Sequence, residues 1–403
     1  MSEPRPVSIT GLSVLTALGR GPEAQLAGSP AFSEVRRFDT SNRRVHHAAT
    51  VADVGTLEEE LDLAIATACG QAGADRRTTP LLLALHSAPT FDFGQRRVYT
   101  SACVSASTAI ADAATLIRSG RADRIVVAAG YLVEPDQYAL FDAGRALADD
   151  HAVRPFSLNR RGLLLGDGVA AVVLEAGDGL AEIVGWGRAG DAYHPCQPSP
   201  DGRGLATAIR TALTRAGLSP DLIGYINANA TGTTFSDAAE AAAITTVFGR
   251  PFDGSTSQMA GSTPGFTVEN PQAHGSTHQM VNGEASGRGS GQGLEAGQGL
   301  GAGPVGSVGS GAVAGRSATG VAVSSSKGVH GHALEASGLV ELVVTVQALR
   351  GGKLPVNAGF LEPDPDCPLD LILDAPRPAQ SPYGMSLNSA FGGANTALVV
   401  RAG

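Results

Sequence analysis

The chain has 403 residues, long enough for two average domains and a large buried core. With 43% hydrophobic and 17% charged residues, it reads as a globular protein suited to layered α/β packing, and no run approaches the roughly 20 apolar residues of a membrane span. A net charge of -9 repels phosphate backbones, and no basic stripe with interleaved aromatics occurs, which argues against nucleic acid as a partner.

The amino terminus, Met1-Ser2-Glu3-Pro4, lacks the charged-then-apolar build of a signal peptide, so the cytoplasm is the expected compartment. Short apolar β-branched runs then alternate with longer helical patterns, the signature of strand-helix units and parallel sheet. Strands are expected at Val7 to Thr10, Leu81 to Ala84, Arg124 to Ala129, Val169 to Glu175, Leu222 to Asn227 and Val321 to Ser324. Helices are expected from Val104 to Arg118, with Ile110, Ala113, Ala114 and Ile117 on one face, and from Leu205 to Arg215, with Leu205, Ile209 and Leu213 spaced by four. The rhythm fits two α/β halves, 1–178 and 179–403. Between about Asp253 and Ala318 the pattern stops, and the chain becomes rich in Gly, Ser and Gln. Such a stretch buries too little apolar surface to offset its ordering entropy, so 253–318 reads as a flexible surface insertion. A phosphate-binding glycine loop is the other use of such composition, but no Lys-Ser/Thr spacing supports it.

Four cysteines, Cys69, Cys103, Cys196 and Cys367, lie far apart and form no C-x-x-C pair, so neither zinc nor a disulfide framework is implied. Cys103 stands out, because Tyr99-Thr100-Ser101-Ala102-Cys103 is a small-residue turn directly before an amphipathic helix. The free amides and positive dipole end of that helix would stabilise a thiolate and lower a thiol pKa of about 8.5. A small buried core cysteine is the other reading, and the local residues leave both open.

This block resembles the active-site cysteine motif of β-ketoacyl synthases, and Ser119 to Asp123 also matches that family. Further blocks follow in the family's order. FDAGRAL (Phe141 to Leu147), Arg154-Pro155-Phe156 and Arg161 to Gly168 are similar to the segment leading into the central strand. Ile226 to Thr233, with Asp237 and Glu240 beyond, resembles the first histidine motif; Ser325 to His332 resembles the lysine and second histidine motif; Asn388 to Asn395 resembles the carboxy-terminal glycine loop. The resemblance implies a thiolase-like fold, two similar α/β halves forming an α-β-α-β-α sandwich. It also implies a chemistry: a thiolate takes an acyl group from a carrier thioester, a malonyl thioester decarboxylates beside it, and the carbanion attacks the acyl-cysteine. Donors hold the enolate-like oxygen as charge develops. No metal or other cofactor enters that scheme.

The resemblance makes Cys103 the nucleophile, His332 a donor at the decarboxylation site, Lys327 an ordering group and Glu341 its partner. It places Thr231 and Thr233 on the pantetheine arm, whose amides need hydroxyl partners, and Phe391 at an aromatic gate beside mobile glycines. Each has a plainer use: a solvated helix-face pair for Lys327 and Glu341, a structural histidine, turn threonines, a core phenylalanine. His330 matches no family position and reads as structural, with no third ligand near enough in sequence for a metal site.

Several positions depart from the family. Asn229 stands where the first catalytic histidine is expected; an amide cannot act as a base, yet it is a good neutral donor toward an oxyanion. Ala230, Ser389, Ala390 and Ala394 also replace family residues, and the stretch between Phe38 and Cys103 is several dozen residues short. Three activities therefore stay open. The first is a condensing enzyme of fatty acid or polyketide synthesis that works with acyl carrier protein as a homodimer or heterodimer. The second is a non-condensing partner subunit resembling chain-length factors, and the third an acyltransferase using an acyl-Cys103 intermediate.

Overall fold

The computed structural model describes residues 5–87, 96–249 and 320–403; the expected insertion, 253–318, lies outside the described residues. Among the described residues one sheet region is made by β1 (Val7–Thr16), to which the two-residue strand Gly19–Arg20 pairs, β2 (Leu81–Ala84), β3 (Arg96–Tyr99), β4 (Arg124–Tyr131) and β5 (Gly168–Ala176). Six more make a second: β6 (Ala181–Gly190), β7 (Ile223–Asn227), β8 (Ala322–Ser324), β9 (Asp370–Leu371), β10 (Tyr383–Ala390) and β11 (Ala394–Ala402). Their orders are β3-β2-β4-β5-β1 and β9-β8-β7-β10-β11-β6, joined through a short β1–β6 pairing at Ser8–Glu182 and Ile9–Ala181.

The expectation of parallel sheet needs correction, because the sheets are mixed. β2 runs parallel to β3 and β4, and β7 parallel to β8 and β10, but β4–β5, β1–β5, β10–β11 and β6–β11 are antiparallel. The reason is local: β10 and β11 are joined by a three-residue turn, too short for the helical crossover that parallel neighbours require.

The helices are α1 (Leu57–Ala72), α2 (Ser105–Arg118), α3 (Pro135–Ala143), α4 (Arg203–Ala216), α5 (Thr234–Phe248), the single turn α6 (Lys327–His330) and α7 (Ser337–Arg350). Side-chain alternation shows how they layer. On β5, Ala170, Val172 and Leu174 enter a central core with α2 and α7, whereas Val169, Ala171 and Val173 enter an outer core with α1. On β11, Leu398 and Val400 face the central core, while Ala397 and Val399 face a third core with α4 and α5. A strand with a period of two that is apolar on both faces must be covered on both faces. The result is five layers: α1, the first sheet, α2 with α7, the second sheet, and α4 with α5. Among the described residues no helix is long and apolar enough to cross a membrane.

The same pairing sets the stage for chemistry. Asn227 of β7 lies in register with Ser324 of β8 on one side and Ser386 of β10 on the other. Because these three strands are parallel, Asn229 and Lys327, just past the ends of β7 and β8, and Asn388, near the end of β10, lie at the same end of the sheet.

Candidate active site

Cys103 sits in a single 3-10 turn, Ala102–Val104, between β3 and α2. Ala102 has φ 50°, a left-handed conformation that costs a non-glycine residue on the order of 1–3 kcal/mol and that the surrounding packing must hold. The turn aims the sulfur at a cavity of about 750 Å³ that also opens to Asn229, Thr231, Thr233, His332 and Phe391. Cys103 Sγ lies 3.0 Å from His332 Nε2, and His332 Nδ1 lies 3.0 Å from Ser337 Oγ. The backbone of His332 is clamped on both sides, its N–H donating to Leu164 O at 2.8 Å and its carbonyl accepting from Gly166 N–H at 3.0 Å.

The expectation of a thiolate stabilised by the helix dipole needs correction. The α-helix begins one residue late, at Ser105, and burial, with Glu335 adding to it, pushes the Cys103 thiol up to about 12. Burial and the Lys327 ammonium hold His332 well below the usual imidazole range. The resting pair is therefore neutral: the thiol donates to Nε2, which assigns the ring proton to Nδ1 and makes Ser337 Oγ its acceptor. Sequence reasoning missed Ser337, although its place five residues after His332, at the first position of α7, is a local signal.

Lys327 and Glu341 form an ion pair in which both residues are fully buried, so the solvated helix-face alternative does not hold. Desolvation raises the Glu341 carboxyl, and the ammonium opposes that shift. Asn388 Nδ2 donates to Glu341 Oε2, and Asn227 Nδ2 donates to the Glu341 carbonyl at 3.2 Å. Lys327 Nζ also donates to Asn229 Oδ1 at 3.2 Å. That contact fixes the amide: the oxygen must face the ammonium, which leaves Nδ2 for the cavity.

Asn229 is held from behind as well, its N–H donating to Glu240 Oε1 at 2.7 Å. Burial pushes Glu240 up to about 8. The following loop is clasped by Asp237, whose carboxylate accepts the N–H groups of Thr231, Gly232, Thr233 and Phe156 at 2.9–3.3 Å. Thr231 and Thr233 stand with their hydroxyls 3.1 Å apart on the cavity wall.

Phe391 is 54% exposed, which removes the core-phenylalanine alternative. Its ring stacks on Phe141 with centroids 6.1 Å apart, and both rings line the cavity. The turn that carries it uses Gly392 at φ 84° and Gly393 at φ 74°, and a Cβ on Gly393 would meet Asp191 Cβ at 2.8 Å.

Comparison with known proteins accounts for this arrangement. The model described as "Beta-ketoacyl synthase, N-terminal domain" matches residues 92–178, and "Beta-ketoacyl synthase, C-terminal domain" matches 180–265 and 308–361, together more than half of the chain. The chain belongs to the β-ketoacyl synthase family. Among curated relatives, Nodulation protein E of Rhizobium leguminosarum bv. trifolii is 32% identical over 313 residues, covering 75% of this chain and 60% of the relative. The 3-oxoacyl-[acyl-carrier-protein] synthase 2 of a Synechocystis species is 29% identical over 322 residues, with 76% and 62% covered. The chain thus spans about 60% of the length of the relatives it matches. The solved ishigamide ketosynthase/chain length factor superposes with a TM-score of 0.75 at 22% identity, covering 99% of this chain and 100% of that one. The fold is the thiolase-like fold of ketosynthases.

Within this family member, the sequence-predicted Cys103, Asn229, Thr231, Thr233, His332 and Phe391 all line one cavity, with Lys327 and Glu341 directly behind Asn229. His330 is buried one residue from Gly331 and donates from Nδ1 to the Gly331 carbonyl at 2.9 Å. Among the described residues no cluster of ligating side chains could hold a metal. Sequence reasoning also missed Glu335, a buried carboxylate on the cavity wall.

Proposed function

We propose that this chain is a β-ketoacyl synthase-like enzyme of fatty acid or polyketide synthesis that takes an acyl group onto Cys103 and condenses it with a malonyl thioester. The observation that carries this reading is the 3.0 Å contact between Cys103 Sγ and His332 Nε2, opening on a large cavity beside a buried Lys327–Asn229 pair. In the first half-reaction the thiol proton passes to His332 Nε2 as sulfur attacks the acyl thioester carbonyl; the proton then leaves with the carrier thiol. Ser337 can accept from Nδ1–H or donate to bare Nδ1, so His332 can afterwards present Nε2–H as a donor. In the second, the malonyl carboxylate leaves as carbon dioxide and the enolate oxygen lies between His332 Nε2–H and Asn229 Nδ2. The carbanion attacks the acyl carbonyl, and Cys103 sulfur departs as a thiolate that takes one proton from solvent, which balances the charge of the malonyl carboxylate lost as carbon dioxide. Thr231 and Thr233 would hold the pantetheine arm, and Phe391 on its glycine turn would gate it.

In this reading the donor is an acyl carrier protein, in keeping with the name of the Synechocystis relative, and a heterodimer with a second ketosynthase-like subunit is in keeping with the ishigamide ketosynthase/chain length factor; a homodimer and action in the cytoplasm are part of the same proposal. Acyl transfer from Cys103 to another nucleophile is a second reading, favoured by Asn229, which supplies no base on the malonyl side. The test is to incubate the protein with acyl and malonyl carrier proteins and weigh both protein and products. One acyl group is expected on the wild type and none on Cys103→Ala, with a β-ketoacyl product. Equal labelling of both proteins overturns the nucleophile; labelling without product turns the reading to acyl transfer or to a chain-length-factor-like subunit.

A further inference from the structure

On the wall of the cavity, apart from the residues assigned above, stands a second polar group. Glu335 follows His332 by three residues, in the 3-10 turn Leu334–Ala336, and is only 4% exposed. That turn packs directly on the turn that carries Cys103, and Leu334 within it is held at φ 42°. Glu335 Oε1 lies 3.2 Å from His86 Nδ1, and His86 Nε2 lies 2.8 Å from Gln137 Nε2. The amide nitrogen of Gln137 can only donate, so His86 Nε2 accepts, the ring proton sits on Nδ1, and that N–H donates to Glu335. All three side chains line the cavity. The second carboxyl oxygen, Oε2, is buried and, among the described residues, has no hydrogen-bond partner.

This arrangement works against the nucleophile, since a carboxylate beside Cys103 opposes formation of a thiolate. It also leaves a buried acceptor unsatisfied, at a cost of about 1–3 kcal/mol or more for a charged group. A plain hydrocarbon chain filling the cavity would leave that acceptor unpaired. A chain that carries a hydrogen-bond donor would offset the cost.

We propose that Glu335, oriented by His86 and Gln137, is a specificity site for acyl chains bearing a hydroxyl or amino group, which donates to the Glu335 carboxylate. The inference rests on the reading of the cavity as an acyl site and narrows its substrate class. Selectivity of this kind follows from the asymmetry of buried hydrogen bonding: a site built around a polar group rejects the analogue that leaves it unpaired more strongly than an apolar pocket rejects a missing methylene.

The test uses hexanoyl-pantetheine analogues in which an amide replaces the reactive thioester: unsubstituted, hydroxylated at each carbon in turn from the third onward, or bearing a terminal amine. The amide cannot acylate Cys103, so binding to the intact protein by calorimetry is read without any chemistry. At least one substituted analogue is expected to bind tenfold or more tightly than the unsubstituted chain, the scale of a hydrogen bond to a charged group. In Glu335→Ala that ratio is expected to fall to within about twofold. Glu335→Gln, which keeps the shape of the wall, is expected to weaken the amine more than the hydroxyl, because it removes charge and keeps an acceptor. Binding of every analogue within about twofold of the unsubstituted chain in the wild type, or a preference that survives both variants, overturns the site. A preference that holds while Cys103 takes no acyl group supports the site and overturns the condensing reading instead.

Discussion

Asn229→Ala separates condensation from acyl holding. In the structure Asn229 Oδ1 accepts from Lys327 Nζ at 3.2 Å and its N–H is anchored on Glu240 at 2.7 Å, so the side chain is pinned with Nδ2 toward the cavity. Truncation removes one oxyanion donor, and losing such a donor lowers rates by about 10²–10³-fold, or about 2.7–4 kcal/mol. Decarboxylation of malonyl carrier protein, followed by mass as conversion to the acetyl form, is expected to fall by that factor. Acylation of Cys103 is expected to persist, since the Cys103–His332–Ser337 chain does not pass through Asn229. Lys327 keeps Glu341 but loses a buried acceptor, so a stability loss of about 1–3 kcal/mol should accompany the change, readable by denaturant unfolding. Asn229→Asp provides the control: it keeps the contact with Lys327 but replaces the Nδ2 donor with an acceptor, and decarboxylation is expected to fall at least as far. A wild type that decarboxylates while Asn229→Ala is equally fast would refute the donor role and leave His332 alone to hold the charge.

The neutral Cys103–His332 pair predicts that acylation changes little between about pH 6 and pH 9, because the thiol titrates near 12 and His332 well below its usual range; a rate rising tenfold per pH unit through that window would contradict it. His332→Ala is expected to slow acylation by about 10²–10⁴-fold, measured by the rise of acyl-enzyme mass. Glu240 is raised by burial from 4.5 to about 8, so its contribution to stability is complete below about pH 4.5 and is lost as pH climbs through 8. The melting temperature of wild type should therefore fall relative to that of Glu240→Gln between about pH 5 and pH 8, and parallel curves would show that Glu240 does not titrate there. Lys327→Met strands Glu341 in the core and should cost about 3–5 kcal/mol in chemical unfolding, most of it recovered in Lys327→Met with Glu341→Leu; an additive double variant would argue against direct coupling.

Much of the architecture was legible because apolar runs and helical periodicity are local. Leu81–Ala84 appears with its expected bounds, and Leu222 to Asn227 and Val321 to Ser324 each begin one residue late. Strand direction was not legible, since it depends on connections: the Phe391 turn makes β10 and β11 a hairpin, whereas pairing across β7, β8 and β10 joins segments about a hundred or more residues apart.

For the site, motif order alone named Cys103, Asn229, Lys327, His332 and Glu341, because residue type limits chemistry: only a thiol there can be acylated, and an amide cannot be a base. What those groups do to one another was decided in three dimensions. The dipole argument for a thiolate used only neighbours in sequence, and it failed because desolvation and Glu335 act through space and outweigh the helix end. The orientation of the Asn229 amide depends on Lys327, 98 residues away, and the unpaired oxygen of Glu335 on a contact with His86, 249 residues away. Residue identity is written along the chain, but burial and field come from parts of it that only packing brings together.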